Sequence, residues 1–155
     1  MLKFKKNIVG VLICASLLVS CGNSTAPTDF TPLAQGTTAE SIEDTLGEEP
    51  TEIKEENGST CYLYENSKYN DYAGTMTYYC AEDQVMICRW EYDVKDIDER
   101  HEAYFDILSS LEKEYGEFTK GDNDVTYTLQ SDSQNITLES FSQGDGYNIV
   151  ITYTS

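Results

Sequence analysis

The chain has 155 residues, of which 28 are acidic and 10 are basic, and its formal net charge is −18. This excess of negative charge disfavours nucleic acid and anionic lipid headgroups as partners, because both would repel the protein. Three of the 10 basic residues and none of the 28 acidic residues lie within the first twenty positions, so the rest of the chain carries −21.

The first twenty residues have the pattern of an export signal. Lys3, Lys5 and Lys6 precede an apolar run from Ile8 to Ser20, and a charged start followed by a short apolar core is typical of secretory signals. A transmembrane helix needs about 20 apolar residues. This run is shorter, so we expect export rather than a membrane-spanning anchor.

The apolar run closes with Leu18-Val19-Ser20-Cys21, which resembles the lipobox of bacterial lipoproteins. In that family the cysteine receives a thioether-linked diacylglycerol, and signal peptidase II then cleaves in front of it. The resemblance implies a signal peptide of residues 1–20 and a lipid anchor on Cys21. It places the protein at the outer face of the cell membrane, where two or three acyl chains hold it durably.

The segment 21–58 differs in composition from the rest of the chain. It is rich in Ser, Thr, Pro, Gly and Glu and nearly free of aromatic residues, a composition typical of disordered chains. We therefore expect a lipidated Cys21 followed by a disordered acidic tether, in which only Thr38 to Leu46 has a helical pattern. A flexible chain of this length reaches roughly 35 Å.

The segment 59–155 is predicted to form one globular domain, because its length suits a single core. It contains all 12 tyrosines and the only tryptophan. Alternating or β-prone runs bounded by turn residues predict strands over 60–65, 74–80, 85–92, 125–130, 135–141 and 147–153. In the hairpin of the second and third strands, Cys80 is expected opposite Val85, and Thr77 opposite Cys88.

One helix is predicted from Asp96 to Tyr115. Asp96 and Glu99 have the spacing of a capping box, and Gly116 stands where a helix favours a left-handed residue. The apolar stripe of this helix must be buried against a sheet. The predicted fold is therefore an α+β two-layer sandwich of order β-β-β-α-β-β-β, with an antiparallel sheet of about six strands and one helix on one face.

The helix that ends at Tyr115-Gly116 is followed by a tyrosine-rich meander up to Tyr153. This stretch is similar to small extracytoplasmic lipoproteins of Gram-positive bacteria and to the helix-and-meander units of beta-lactamase-inhibitor-like domains. The resemblance implies a Gram-positive cell membrane as the location, and it transfers no catalytic residue.

Three cysteines follow the lipid-bearing one. An exported chain can keep a disulfide, and we expect Cys61 opposite Cys80, where a bond would stabilise the fold by roughly 3 kcal/mol. Cys88 would then be an inert core thiol, because it is expected on the opposite face of the sheet from Cys80. The cysteine spacings fit no zinc pattern, and the acidic clusters at 93–99 and 122–124 fit no calcium loop, so no metal or other cofactor is predicted.

His101 is the only histidine, and we expect it to be half-buried against the sheet. Since one helix covers only one face of a sheet, Tyr62, Tyr64 and Tyr78 are predicted to lie on the open face. Amphipathic rings there suit the recognition of a sugar or a peptide. The competing interpretation is that tyrosine is frequent in strands simply because of its β-propensity.

The sequence contains no arrangement of residues typical of catalysis. It favours a non-catalytic binding or interaction module, held at the membrane through Cys21, whose partner is an envelope protein, a peptide or a glycan. Two alternatives stay open at this point. One is an envelope hydrolase that uses a carboxylate pair such as Glu65 with Asp83, and the other is a structural spacer with no partner.

Overall fold

The computed structural model describes residues 29–154, so the lipobox and Cys21 lie outside the described residues. The described chain forms one eight-stranded antiparallel sheet and two helices. The strands are β1 Glu52–Glu56, β2 Ser59–Tyr69, β3 Tyr72–Ala81, β4 Gln84–Val94, β5 Thr119–Lys120, β6 Thr126–Gln130, β7 Asn135–Gln143 and β8 Gly146–Thr154. The helices are α1 Glu40–Leu46 and α2 Ile97–Tyr115.

The sheet order is β1-β2-β3-β4-β8-β7-β6-β5, so two meanders meet where β4 pairs with β8. The predicted α+β class and antiparallel sheet are confirmed. The prediction of six strands and one helix is wrong, because β1 and β5 extend the two edges and α1 adds a second helix. All residues of β1 and β5 are exposed, so neither strand has the alternation by which strands are recognised.

The two faces of the sheet have different compositions. We call one the covered face, because both helices pack on it; its central row runs across six strands as Tyr64, Met76, Trp90, Ile151, Leu138 and Tyr127. The adjacent row on the other side, which we call the open face, is Leu63, Thr77, Arg89, Thr152, Thr137 and Thr128. Strands alternate their side chains between faces, so the main hydrophobic core cluster lies between the covered face and the segments packed on it.

Helix α2 begins and ends near the predicted positions. The Asp96 carboxylate accepts hydrogen bonds from the backbone N–H groups of Asp98 and Glu99, at 2.8 and 3.1 Å, which satisfies donors that a helix start leaves free. The Glu99 side chain does not complete a capping box; it accepts from the Tyr92 hydroxyl at 2.9 Å. At the other end Gly116 has a positive φ of 109°, which stops the helix.

Part of the predicted tether is folded, which corrects that prediction from residue 29 onward. Phe30 and Ile42 are buried in the same core cluster as Trp90, and the Tyr78 hydroxyl donates to the carbonyl of Thr31 at 2.6 Å. The segment crosses the covered face, forms α1 and then enters β1. Its composition is polar, but a few apolar residues on a largely aromatic sheet are enough to order it. The globular unit therefore begins before residue 59.

A β-bulge between Tyr79 and Cys80 changes which residues of β4 face the core. Cys80 lies opposite Val85 as predicted, but Thr77 lies opposite Arg89 and not Cys88. The extra residue in a bulge shifts the alternation of side chains on one side of it. Cys80 and Cys88 consequently both belong to the core cluster, whereas the sequence predicted them on opposite faces.

A candidate ligand cleft between α2 and β6

The first turns of α2 and the chain around β5 and β6 enclose a cleft of about 310 Å³. We call it the Arg100 cleft; its lining residues are Arg100, His101, Tyr104, Phe105, Lys120, Asp124, Val125 and Tyr127. Residues four apart on a helix share a face, so Arg100 with Tyr104 and His101 with Phe105 form one wall. Tyr127 comes from β6, on the covered face.

Arg100 is held in place by three neighbours. Its Nε donates to the Ser140 hydroxyl at 2.9 Å. Its guanidinium carbon lies 5.8 Å from the ring centroid of Tyr104 and 5.6 Å from that of Tyr147, within the range of cation–π attraction. Within residues 29–154, the terminal nitrogens of Arg100 form no hydrogen bond or ion pair. The guanidinium is therefore fixed in orientation, with donors left for a ligand.

Aromatic rings form the apolar part of the cleft. The Tyr104 ring lies 5.5 Å from that of Phe105 and 6.2 Å from that of Tyr127, between centroids. Tyr104 is buried, while Phe105 keeps 42% of its surface exposed. Burial raises the pKa of Tyr104, and Tyr127 adds to the rise while Arg100 opposes it. The Tyr104 hydroxyl is therefore neutral at physiological pH, and it donates a hydrogen bond to the Leu138 carbonyl at 3.4 Å.

The other charged residues of the cleft lie at its outer side. The ammonium of Lys120 pairs with the carboxylate of Asp124, and both side chains are exposed, at 51% and 90%. An ion pair exposed to this degree is screened by solvent and contributes little to stability, so a ligand can compete for Lys120. His101 is exposed and contacts the Phe105 ring at 4.7 Å, which corrects the expectation that it packs half-buried against the sheet.

A second cleft of about 650 Å³ lies at the other end of the covered face. It is bounded by Thr38, Ala39, Glu40, Glu43, Ile53, Tyr62 and Asp83. These residues include three carboxylates and no cation, the opposite of the Arg100 cleft. Tyr62 is half-buried there and does not lie on an open sheet face.

Tyr62, Tyr64 and Tyr78 do not form the predicted binding surface on the open face. Tyr64 and Tyr78 are 1% and 0% exposed, and their rings contact each other at 5.8 Å in the core. The prediction placed them on the open face because the polar composition of residues 29–47 does not indicate that this segment covers that part of the sheet. Tyr79, their neighbour, is the tyrosine of β3 that faces the other way.

The predicted disulfide is also absent, since Cys61, Cys80 and Cys88 are all free thiols. Cys61 pairs with Tyr79 and not with Cys80, so its side chain points to the open face while that of Cys80 points to the core. The suggested carboxylate pair is not brought together either. Glu65 of β2 lies opposite Thr75 of β3, whereas Asp83 lies in the turn at the far end of β3. Among residues 29–154, no group of three or more His, Cys, Asp or Glu side chains is arranged to hold a metal ion.

The chain matches no protein-family model, and no curated protein or solved structure matches it. In the part of the chain that the structure describes, no helix is both long and apolar enough to cross a membrane. The case for a function therefore rests on the residues and contacts given above.

Proposed function

We propose that this protein is an extracytoplasmic lipoprotein, anchored by lipid on Cys21, that acts as a non-catalytic module and binds a small ligand in the Arg100 cleft. The observation that carries the proposal is the fixed guanidinium of Arg100, which has free donors although the chain has a large excess of carboxylates. A preorganised donor beside aromatic rings is typical of ligand sites, which are concave, mostly apolar and hold a few well-placed polar groups.

The lipid anchor follows from Leu18-Val19-Ser20-Cys21. Since residue 29 already lies on the sheet, where Asp29 bridges to Lys68, the chain between Cys21 and the fold is short. At about 3.6 Å per residue it spans at most about 30 Å. The ligand would then be met close to the membrane surface.

Lipidation is tested by replacing Cys21 with Ala and following the protein in membrane and soluble fractions, with metabolic labelling by a fatty acid. Cys14→Ala, the same change within the apolar run, is the matched control. We expect Cys21→Ala to remove the label and Cys14→Ala to keep it. Equal labelling of the two variants would refute the anchor.

Ligand binding is tested by NMR on the mature, lipidated and isotope-labelled protein in detergent, with a fragment set of anions, cations and neutral compounds in equal numbers. We expect saturable shifts of amides in the first turns of α2 and in β6. Phe105→Ala should abolish them, whereas Ile53→Ala, which removes an apolar side chain 55% exposed in the second cleft, should not. If no fragment shifts these amides, or if Phe105→Ala leaves the shifts unchanged, the cleft is not a ligand site.

A further inference from the structure

The charge of the Arg100 cleft is opposite in sign to that of the whole chain. After residue 20 the chain has 28 acidic residues against seven lysines and arginines and one histidine. Two of those seven cations and the histidine line this cleft, together with a single carboxylate, that of Asp124. The carboxylate is engaged by Lys120, which leaves Arg100 as an uncompensated cation among the lining residues. A cleft of this kind favours an anionic ligand.

The orientation of Arg100 limits which anionic groups fit the cleft. Ser140 engages Nε, so the two terminal nitrogens form the free edge of the planar guanidinium. Two parallel N–H donors match the two oxygens of a carboxylate or of a phosphate, and this bidentate match is the reason arginine is preferred over lysine at such sites. The contacts of the guanidinium with the rings of Tyr104 and Tyr147 help to hold this edge in one orientation.

The aromatic rings of the cleft indicate what kind of molecule carries the anionic group. Tyr104, Phe105 and Tyr127 present aromatic surface beside the guanidinium, and Phe105 remains 42% exposed. Aromatic side chains prefer offset-stacked or edge-to-face contact with another ring. The cleft volume of about 310 Å³ is at the lower end of the range of ligand sites, about 300–1,000 Å³, which suits a single ring with one short substituent.

We infer that the Arg100 cleft binds a small aromatic anion, a single planar ring that carries one carboxylate or phosphate group, with the anion on the terminal nitrogens of Arg100 and the ring against Phe105 and Tyr127. Lys120 is a second donor once it leaves Asp124. This inference rests on the proposed function, since it names the ligand class of the same site.

The test titrates the mature, lipidated protein in detergent with benzoate, phenyl phosphate, inorganic phosphate and benzylamine. Binding is followed by the NMR shifts of the amides of α2 and β6. We expect benzoate or phenyl phosphate to bind most tightly, inorganic phosphate more weakly because it lacks the ring, and benzylamine not at all. Comparing the two aromatic anions decides between carboxylate and phosphate. Arg100→Gln should weaken the better of them roughly tenfold or more, as expected for a lost charge-assisted pair.

Lys113→Gln is the matched control, because it removes one positive charge from an exposed position on the same helix outside the cleft. It should leave the dissociation constant unchanged. The inference is overturned if benzylamine binds as well as benzoate, if Lys113→Gln and Arg100→Gln have equal effects, or if no aromatic anion binds. Should other fragments still shift the cleft amides in the broader screen, the ligand class would be wrong and the proposed binding function would stand.

Discussion

The covered and open faces of the sheet come from the same strands, yet they differ sharply in composition. The covered row centred on Trp90 is aromatic and aliphatic, whereas the open row centred on Arg89 contains four threonines. Thr77 is nonetheless only 3% exposed, because side chains opposite each other on neighbouring strands stand about 5 Å apart and shield small residues. Burial alone therefore does not mark the core; it is marked by large apolar side chains that meet a second layer.

The second layer has two parts, which cover different strands of the covered face. Helix α2 packs on β4 and β8, and the segment 29–47 packs on β2, β3 and the start of β4. The Arg100 cleft lies between α2 and β6, and the second cleft lies beside α1 and β1. Both clefts are thus formed where the second layer leaves part of the covered face free.

The largest contrast between the faces is expected at Trp90 and Arg89. Trp90 is fully buried, and its Nε1 donates to the Ser67 carbonyl at 3.0 Å, so Trp90→Ala should lower the free energy of unfolding by about 3–5 kcal/mol. Arg89→Ala removes only a partly exposed pair with Glu91 and should cost about 1 kcal/mol or less. Urea unfolding measures both, and equal losses would contradict the assignment of the two faces.

The N-terminal part of the second layer is tested by Ile42→Ala. Ile42 is 0% exposed, so its truncation should cost about 2–5 kcal/mol. Ile53→Ala, at a position 55% exposed, should change the free energy of unfolding by no more than about 0.5 kcal/mol. If thermal and urea unfolding do not distinguish these variants, the segment behaves as a tether after all.

Alkaline pH should destabilise the covered side through its buried thiols. Burial raises the pKa of Cys88 to about 11, although a hydrogen bond with the Leu33 backbone opposes the rise, and burial likewise raises the pKa of Cys80 to about 11. An unfolded thiol ionises near pH 8.5. The unfolded chain therefore loses its proton first, so stability is complete below about pH 8.5 and falls as the pH rises toward about 11.

We expect each of the two thiols to contribute about 1–2 kcal/mol to this loss by pH 10. Urea unfolding of the wild type and of Cys88→Ala at pH 7.5 and pH 10 measures it, and the decrease should be smaller in the variant. An identical decrease in the two proteins would show that Cys88 does not contribute.

The smallest contrast is expected between two adjacent tyrosines. Tyr78→Phe removes the hydrogen bond to the Thr31 carbonyl and leaves that acceptor near the core, so it should cost about 1 kcal/mol. Tyr79→Phe makes the same change on the open face, where the hydroxyl has no such bond to any residue from 29 to 154, and should cost less than about 0.5 kcal/mol. A larger loss of unfolding free energy for Tyr79→Phe than for Tyr78→Phe would contradict the assignment of these two tyrosines to opposite faces.

Local patterns located the long helix and six strands because each has a periodicity or cap of its own. Asp96 and Gly116 bound α2 as their residue types require, and the alternation along β8 places Ile149, Ile151 and Tyr153 on one face. The Arg100 cleft was not found in this way. The sequence shows the helical wall of the cleft, because Arg100 and Tyr104, like His101 and Phe105, are four residues apart. Lys120 and Tyr127 reach the cleft only because the chain folds back after α2.

The sequence by itself determined the α+β class, the antiparallel sheet, the long helix and its N-cap, since these depend on side-chain periodicity and on hydrogen bonds between near neighbours. Only the tertiary structure decided which face of the sheet is covered, that Cys61 and Cys80 lie on opposite faces, and that residues 29–47 are folded. The physical reason is the same in each case. A one-residue bulge or a distant polar segment changes which side chains are buried together, and neither leaves a local mark in the residues it affects.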